Sequence, residues 1–335
     1  MKTVNVIITG GAGFLGQRLA RRLLERGTLK DADNHDRIID KIALVDLVPA
    51  AGLSDPRIHQ ITGDLADARW LERAIDPKAS SIFHLAAVVS GMAESDFEAG
   101  MRVNVDASRA LLEICRARGT CPRLVFTSSV AVYGGDLPDV VNDSTPVRPQ
   151  SSYGAQKAVV ELLIGDYSRR GFVDGRVLRL PTISVRPGRP NAAASSFASG
   201  IVREPLNGEP ALCPVGPDTR LWLLSPQTAI ECLIVGHELP ADALGVNRNI
   251  NVPGLTVTPR AMAAALERIA GPAAAARIRW ERDPRIERIV TSWPGGWDTS
   301  RAASLGFPGD ASFDDVVRQY VEEAGIDVGA RGLRA

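Results

Sequence analysis

Tyr153 and Lys157 stand four positions apart in the segment SYGAQK, within a stretch of helical periodicity. On a helix this spacing places both side chains on one face, about one turn apart. A free tyrosine has a pKa near 10 and is a poor base at neutral pH, but a neighbouring ammonium favours the phenolate. Ser129, at the end of an apolar run, adds a hydroxyl that could hold a substrate oxygen. These three residues predict catalysis of proton transfer at a hydroxyl or carbonyl oxygen.

A second candidate site is the glycine-rich segment ITGGAGFLG, which places Gly10, Gly13 and Gly16 at GxxGxxG spacing. The segment follows a predicted strand and opens a predicted helix, the context of a dinucleotide-binding turn. Glycine permits the tight turn and a close approach of backbone to pyrophosphate, and the helix N-terminus offers free N–H groups. We expect these glycines, with Phe14 and Leu15, to bind a dinucleotide.

Asp46 ends the second apolar run, in ALVDL. A carboxylate there can accept hydrogen bonds from ribose hydroxyls and would repel a 2′-phosphate. Leu47, Val48 and Pro49 supply no cation to bind such a phosphate. The predicted cofactor is therefore NAD rather than NADP. The positive ring of oxidised NAD would join Lys157 in lowering the pKa of Tyr153, where a shift of roughly three units needs about 4 kcal/mol.

Short apolar strands that alternate with helices must position these residues. Strands are predicted at 4–9, 42–46, 58–61, 82–85, 124–127 and 176–180, and the clearest helices at 14–25, 103–118 and 153–169. Buried strands joined by helices predict an α/β fold with a parallel, doubly wound sheet of Rossmann type. The polar segment 27–40 is expected to be a surface excursion.

The second half of the chain differs in composition. Proline and glycine become frequent after residue 180, in PTISVRPGRPN, REPLNGEP and CPVGP. Frequent prolines and glycines interrupt the alternation of strands and helices. We expect residues 1–180 to form mainly the NAD-binding domain. Residues 181–330 should form mainly a smaller, irregular substrate-binding lobe, with some chain crossing back.

Composition excludes several classes of function. Lysine plus arginine equals aspartate plus glutamate at 39 each, so the formal net charge is zero, and neither nucleic acid nor an anionic membrane is an expected partner. No segment approaches the ~20 apolar residues of a membrane span. The four cysteines form no CxxC pair and the four histidines show no metal-ligand spacing, so no metal site is predicted. A cytoplasmic enzyme is the expectation.

The chain resembles the extended short-chain dehydrogenase/reductase family, which includes nucleotide-sugar epimerases and dehydratases. The segments that carry the resemblance are Gly10–Gly16, Asp64–Leu65, His84–Ala87, Asn104, Thr127–Ser129 through Tyr133–Gly134, and Tyr153 with Lys157. The resemblance is strong over residues 3–190 and continues more weakly to Leu305–Phe307. It implies that Ser129 is the hydroxyl of a catalytic triad, that Tyr153 is the acid/base, and that Lys157 also holds the nicotinamide ribose.

Further cofactor contacts are expected at the strand ends. Asp64 could meet the adenine amino group, or it could instead cap the helix that starts near Ala66. Ala86 and Ala87 let the backbone pass close to the cofactor. The resemblance adds Leu65, Asn104, Pro181 and Ile183 to the cofactor contacts, and it implies a homodimer formed through the helices around Asn104 and Tyr153.

Departures from the family pattern argue against two of its reaction types, dehydration and reactions of nucleotide sugars. Family dehydratases carry an Asp-Glu pair directly after the triad hydroxyl, where this chain has Val130 and Ala131. After Arg220 the chain reads LWLLSP instead of the His-Val-Asp-Asp-like run that is usual in nucleotide-sugar members. RLWLLSPQTA, TSWPGGWDTSRAASLGF and the long early insertion resemble a subgroup that uses NAD to oxidise C2 of a small sugar acid such as D-erythronate.

A sugar acid brings a carboxylate that must be well hydrogen-bonded in the cleft. Arg220 is the expected partner because a guanidinium can grip a carboxylate with two parallel bonds, although a surface ion pair is the alternative for this residue. Other expected substrate contacts are Ser90, Thr182, Ser195 and Ser196, for which the serines have loop or capping roles as alternatives. An NAD-dependent sugar or nucleotide-sugar epimerase and a non-enzymatic NAD sensor are the competing functions.

Overall fold

The computed structural model describes residues 3–190 and 193–328. The strands are β1 (Thr3–Thr9), β2 (Thr28–Lys30), β3 (Asp36–Asp46), β4 (Ile58–Thr62), β5 (Ser81–His84), β6 (Arg123–Ser129), β7 (Asp174–Leu180), β8 (Thr182–Ile183), β9 (Ala211–Cys213), β10 (Leu221–Leu224), β11 (Asn249–Asn251), β12 (Leu255–Val257) and β13 (Ile278–Trp280). The α-helices are α1 (Phe14–Arg26), α2 (Ala68–Ala74), α3 (Ser90–Ser95), α4 (Phe97–Gly100), α5 (Ala107–Arg118), α6 (Ser152–Arg169), α7 (Phe197–Leu206), α8 (Pro226–Glu238), α9 (Ala241–Leu244), α10 (Pro259–Ala270), α11 (Pro272–Ala275), α12 (Pro284–Thr291), α13 (Ser300–Ser304) and α14 (Phe313–Glu323). A π-helical turn (Met101–Asp106) leads into α5, and a 3₁₀ turn (Val130–Val132) follows β6.

The main sheet has eight strands. Its order is β11-β7-β6-β5-β1-β3, and β3 then pairs with β2 along its first part and with β4 along its second. Apart from the antiparallel pair of β2 and β3, neighbouring strands are parallel. This order confirms the predicted doubly wound sheet. It also opens a crevice at the carboxyl ends of β1 and β5, where ligands bind in such sheets.

Helices cover both faces of this sheet. Leu19 and Leu23 of α1 pack with Leu233 of α8 in one hydrophobic core, and Leu111 of α5 packs with Val160 of α6 in the other. Burial on both faces explains why the strands read as continuous apolar runs. Over the described parts of the chain, no helix combines the length and the apolar character needed to cross a bilayer.

The second half of the chain builds its own core and also returns to the main sheet. A three-stranded sheet of β12, β10 and β8 and a pair of β13 and β9 surround a separate hydrophobic cluster that includes residues of α7, α10 and α14. However, α8 covers the main sheet and β11 forms one of its edges. The division after residue 180 stays a prediction.

The segment 27–40 is a mostly exposed extension of the main sheet. It has regular structure that the sequence expectation of a surface excursion did not include, because β2 and the first half of β3 pair as an antiparallel hairpin at the sheet edge. Leu29 and Ile39 are fully buried in the core beneath it. The two inward apolar residues are separated by many polar ones, so the apolar pattern that marks a strand is diluted in the sequence.

Candidate active site

A cavity of about 300 Å³ lies at the carboxyl ends of β1, β5, β6 and β7. The glycine-rich turn and the ends of β5 and β6 line one part of it, and residues of the second lobe line another. Sequence-predicted residues in this lining are Gly10, Gly13, Phe14, Leu15, Gly16, Ala87, Ser90, Ser129, Tyr153, Lys157, Pro181, Thr182, Ile183, Ser195 and Ser196. The structure thus brings the predicted catalytic residues and most of the predicted cofactor residues to one site.

The glycine-rich turn leaves no room for side chains. Gly10 has a positive φ of 71°, and its N–H donates to the carbonyl of Val45. A Cβ on Gly16 would lie 2.2 Å from the carbonyl oxygen of Gly10, and a Cβ on Gly10 would lie 2.8 Å from the nitrogen of Ala86. Gly13 is the N-cap of α1 and offers no capping side chain. The first N–H groups of α1 therefore remain for a pyrophosphate, which the turn fits.

Asp46 is fixed beside this turn. Its Oδ2 accepts from the N–H of Ala12 at 2.9 Å, and its Oδ1 accepts from the N–H of Leu47 at 2.7 Å. The two residues that follow, Leu47 and Val48, are 65% and 59% exposed. Both are apolar, so neither provides a positive charge at the adenosine end. This environment suits a ribose with free hydroxyls rather than a 2′-phosphate.

We expect the unmodified protein to bind NAD more tightly than NADP, because Asp46 would face the extra phosphate unpaired. The double substitution Asp46→Ala with Leu47→Arg should shift the ratio of dissociation constants toward NADP by roughly tenfold or more, since it replaces a repulsion with a charge-assisted bond. Fluorescence titration with both reduced cofactors measures this ratio. Asp46→Asn is the control, because it removes the charge and keeps an acceptor for Ala12. Equal affinities in the unmodified protein would contradict the role of Asp46.

Asp64 and Leu65 lie away from the cavity lining. Oδ1 of Asp64 accepts from the N–H of Ala66 at 2.9 Å, and Oδ2 pairs with Arg102 at 3.0 Å. Leu65 is buried in the core under α2. The capping alternative for Asp64 is wrong, because α2 begins at Ala68 and its N-cap is Asp67. Asp64 instead closes the turn before this helix, and the adenine contact stays a prediction.

Asn104 also lies behind the cavity, within the π-helical turn. It is 1% exposed, and its amide holds both backbone groups of Val88, accepting at 2.8 Å and donating at 3.0 Å. A further bond runs from Nδ2 to Gln156 at 2.7 Å. Asn104 thus ties the loop after β5 to α6 and shapes the cavity wall from behind, whereas the sequence predicts a direct cofactor contact. Ala86 is placed similarly, against Gly10.

The three predicted catalytic side chains converge at the cavity. Ser129 ends β6, where its hydroxyl accepts from the N–H of Ala131 at 3.2 Å and lies close enough to Tyr153 to favour the phenolate of that residue. Lys157 lies one turn further along α6, with Nζ 5.6 Å from the centre of the Tyr153 ring. Its ammonium donates to the carbonyl of Thr127 at 2.9 Å. The end of β6 and the helix α6 therefore bring the serine, the tyrosine and the lysine to one wall of the cavity.

The pKa of Tyr153 departs from the sequence expectation. In the protein alone, burial raises the pKa of Tyr153 to about 12, and the neighbouring hydroxyl of Ser129 offsets only part of this. Burial also lowers the pKa of Lys157 to about 7. The expectation that the lysine lowers the pKa of the tyrosine is wrong for the protein alone, because the loss of water on burial dominates and only Ser129 acts against it.

Glu161 is a residue beside the site that the sequence reading missed. It follows Lys157 by one turn of α6, and its carboxylate raises the pKa of that lysine against the effect of burial. Arg179 of β7 donates to both carboxylate oxygens, at 2.6 to 3.2 Å, and Ser128 donates to Oε1 at 2.5 Å. The signal in the sequence is the i,i+4 spacing of Tyr153, Lys157 and Glu161.

The second-lobe side of the cavity corrects the expected substrate arginine. Arg220 is exposed and is not part of the lining; its side chain packs against Gly295. The lining instead contains Arg186, Arg189 and Arg203, which the sequence reading did not assign. No aspartate or glutamate occurs among the described residues that line the cavity, so its charged side chains are cationic.

A cluster of possible metal ligands lies elsewhere, on the hairpin of β2 and β3. Ligand atoms of Asp31, Asp33 and His35 lie within 4.8 Å of one another. The carboxylate of Asp31 already pairs with Arg37 at 2.5 Å and accepts from two backbone N–H groups. These bonds account for the cluster as a hairpin turn.

A doubly wound sheet, a glycine-rich turn and a tyrosine–lysine pair in one cavity define a dinucleotide-dependent enzyme. The chain belongs to the NAD-dependent epimerase/dehydratase family, whose sequence model matches residues 6–224. NAD is therefore the cofactor, as Asp46 predicts.

Individual relatives are close over nearly the whole chain. The D-erythronate dehydrogenase of Cupriavidus necator is 61% identical, with 96% of this chain and 99% of the relative covered. The D-erythronate dehydrogenase of Haemophilus influenzae is 47% identical, with 95% and 99% covered. Among solved structures, the nucleoside-diphosphate-sugar epimerase of Agrobacterium tumefaciens is similar, with a TM-score of 0.91, 40% identity, and 98% and 96% of the two chains covered.

Proposed function

We propose that this protein is an NAD-dependent dehydrogenase that oxidises the C2 hydroxyl of a small sugar acid, D-erythronate. The observation that carries the proposal is that Ser129, Tyr153 and Lys157 line one cavity whose charged side chains are cationic. Such a lining favours an acid over a neutral alcohol. The two relatives with this activity cover nearly the full chain, so the second lobe is shared as well.

In this proposal the chain's own residues handle the proton. Ser129 holds the substrate hydroxyl oxygen, and Tyr153 takes its proton as general base. Lys157 lies beneath the tyrosine ring and binds the nicotinamide ribose. NAD, when bound, supplies the hydride acceptor and a positive ring that favours the phenolate.

The remaining predicted contacts stay part of the proposal. The cofactor contacts are Gly10, Gly13, Phe14, Leu15, Gly16, Asp46, Ala87, Pro181 and Ile183, and the substrate contacts are Ser90, Thr182, Ser195 and Ser196. Ser90 is buried, and its hydroxyl accepts from the N–H of Ala194 at 3.2 Å, so it already fixes the second-lobe segment beside the cavity. The free cysteines fit the reducing conditions of the cytoplasm, where we place the enzyme.

One assay tests the proposed function against its rivals. Purified protein is mixed with NAD and, separately, with D-erythronate, other aldonic acids and nucleotide sugars, and the absorbance of reduced cofactor is followed. Net reduction with D-erythronate supports the dehydrogenase. Isomerisation of a nucleotide sugar without net reduction would instead indicate an epimerase. Neither cofactor reduction nor isomerisation with any compound, despite NAD binding, would indicate a sensor.

We also propose a homodimer that packs through α6. Val159 and Leu162 on this helix are 43% and 73% exposed, and Phe97 of the adjoining α4 is 58% exposed. Large apolar side chains exposed on neighbouring helices favour a protein interface. A second copy of the chain would cover the same patch on both subunits.

Leu162→Glu should convert this dimer to a monomer, because the glutamate would bring an unpaired charge into the centre of the interface. Sedimentation or light scattering at several concentrations measures the mass. Val246→Glu is the matched control, since Val246 is fully exposed in the loop after α9 and its substitution should leave the mass unchanged. A parent protein that is monomeric at high concentration would exclude the proposed dimer.

A further inference from the structure

Arg186 of the second lobe reaches the glycine-rich turn of the first. Its guanidinium carbon lies 5.3 Å from the centre of the Phe14 ring, and Phe14 is the first residue of α1. Arg18 lies over the same ring at 4.7 Å, but Arg18 pairs with Glu323. Among residues 3–190 and 193–328, Arg186 has no acidic partner. It is thus an uncompensated cation next to the N-terminus of α1.

The backbone of Arg186 is held firmly by α7. Its N–H donates to the hydroxyl of Ser199 at 3.0 Å, and its carbonyl accepts from Nη1 of Arg203 at 2.7 Å. Arg203 is itself paired with Glu204 at 2.6 Å. The second lobe therefore fixes where the Arg186 side chain begins, and the Phe14 ring supports its guanidinium.

Without a bound anion, this position of the Arg186 guanidinium destabilises the folded protein. Arg186 is half-buried, and burial together with the neighbouring charge of Arg203 lowers the pKa of its guanidinium. The described cavity lining holds no carboxylate that could compensate. A partly desolvated cation is retained in a cavity at low cost only where a ligand brings negative charge.

We propose that Arg186 binds the pyrophosphate of NAD together with the N-terminal amides of α1. The proposal rests on the NAD-dependent dehydrogenase function proposed above and adds a second-lobe residue to the cofactor site. A planar guanidinium can donate two parallel bonds to phosphate oxygens, and its position against Phe14 reduces the freedom lost on binding. The cofactor is then held by groups from both lobes.

Calorimetric titration with NAD and with ADP-ribose tests this role. ADP-ribose keeps the pyrophosphate and lacks the nicotinamide, so its binding involves no catalysis. Arg186→Gln should weaken the binding of both ligands by roughly ten- to a hundredfold, the usual loss of a charge-assisted bond. The affinity of Arg186→Lys for both ligands should lie between those of the parent and of Arg186→Gln, because lysine keeps the charge and loses the planar fork. Circular dichroism confirms that each variant is folded.

Arg189→Gln is the matched control. Arg189 lines the same cavity but is exposed, so removal of its charge should change ADP-ribose affinity less than twofold. An equal loss in both variants would overturn the proposal, since a general positive potential would explain it. Unchanged ADP-ribose affinity in Arg186→Gln, with a raised KM for the acid, would also overturn it and place Arg186 on the substrate carboxylate. A protein that binds ADP-ribose through Arg186 yet oxidises no acid would retain this site while refuting the proposed reaction.

Discussion

Tyr153→Phe should reduce the turnover of D-erythronate by roughly 10²- to 10⁴-fold, the usual effect of losing a general acid/base. The phenyl ring keeps its contact with Lys157, whose Nζ lies 5.6 Å from the ring centre, so NAD affinity should barely change. Steady-state rates give the first quantity and calorimetric titration with NAD gives the second. Near-normal turnover in this variant would refute the role of Tyr153.

Tyr167→Phe controls for the substitution itself. Tyr167 lies on the same helix, but its hydroxyl bonds to Glu113 outside the cavity. We expect the turnover of this variant to match the parent. If both variants lost activity equally, a disturbance of α6 would explain the effect.

The dependence on pH provides a second readout for Tyr153. Because burial raises the pKa of Tyr153 to about 12 in the protein alone, the neutral phenol dominates at neutral pH. The basic phenolate becomes more abundant as the pH rises, so oxidation by the parent should accelerate from neutral to alkaline pH. The residual rate of Tyr153→Phe should lack this acceleration. A parent rate that falls over the same range would contradict the assigned base.

Much of the cofactor side could be predicted from the sequence. Gly10, Gly13 and Gly16 are required by close backbone contacts within a short segment, so their spacing alone indicates the turn. Asp46 is equally local, since it ends the strand that pairs beside β1. Asn104 is different, because its role depends on Val88 and Gln156, which are distant in the sequence.

The substrate side could be predicted less well. Arg220 was expected from the resemblance, but a resemblance places a residue along the chain and does not show which way the lobe turns it. Arg186 lies in a proline- and glycine-rich segment with neither helical nor strand periodicity, so nothing local indicates its direction. Only the fold of the second lobe, through Ser199 and Arg203, brings it to the glycine-rich turn.

Substitution within the buried pair of Arg179 and Glu161 should have the second large effect, on the stability of the fold. These residues are 5% and 3% exposed, and the pair connects β7 to α6 next to Lys157. Nη1 of Arg179 also donates to the hydroxyl of Tyr133 at 2.6 Å. Two charges in such a setting offset each other, and removal of one leaves the other without compensation.

Arg179→Met should therefore lower the free energy of unfolding by about 3 to 5 kcal/mol, measured by urea denaturation. The double variant Arg179→Met with Glu161→Leu should recover most of that loss, because no unpaired charge remains in the core. Arg260→Met is the control, since Arg260 pairs with Asp218 at the surface, with side chains 66% and 72% exposed, and should cost at most about 1 kcal/mol. If Arg179→Met were no worse than Arg260→Met, water would reach Glu161 in the folded protein, and the carboxylate could not act on the pKa of Lys157 as a buried charge.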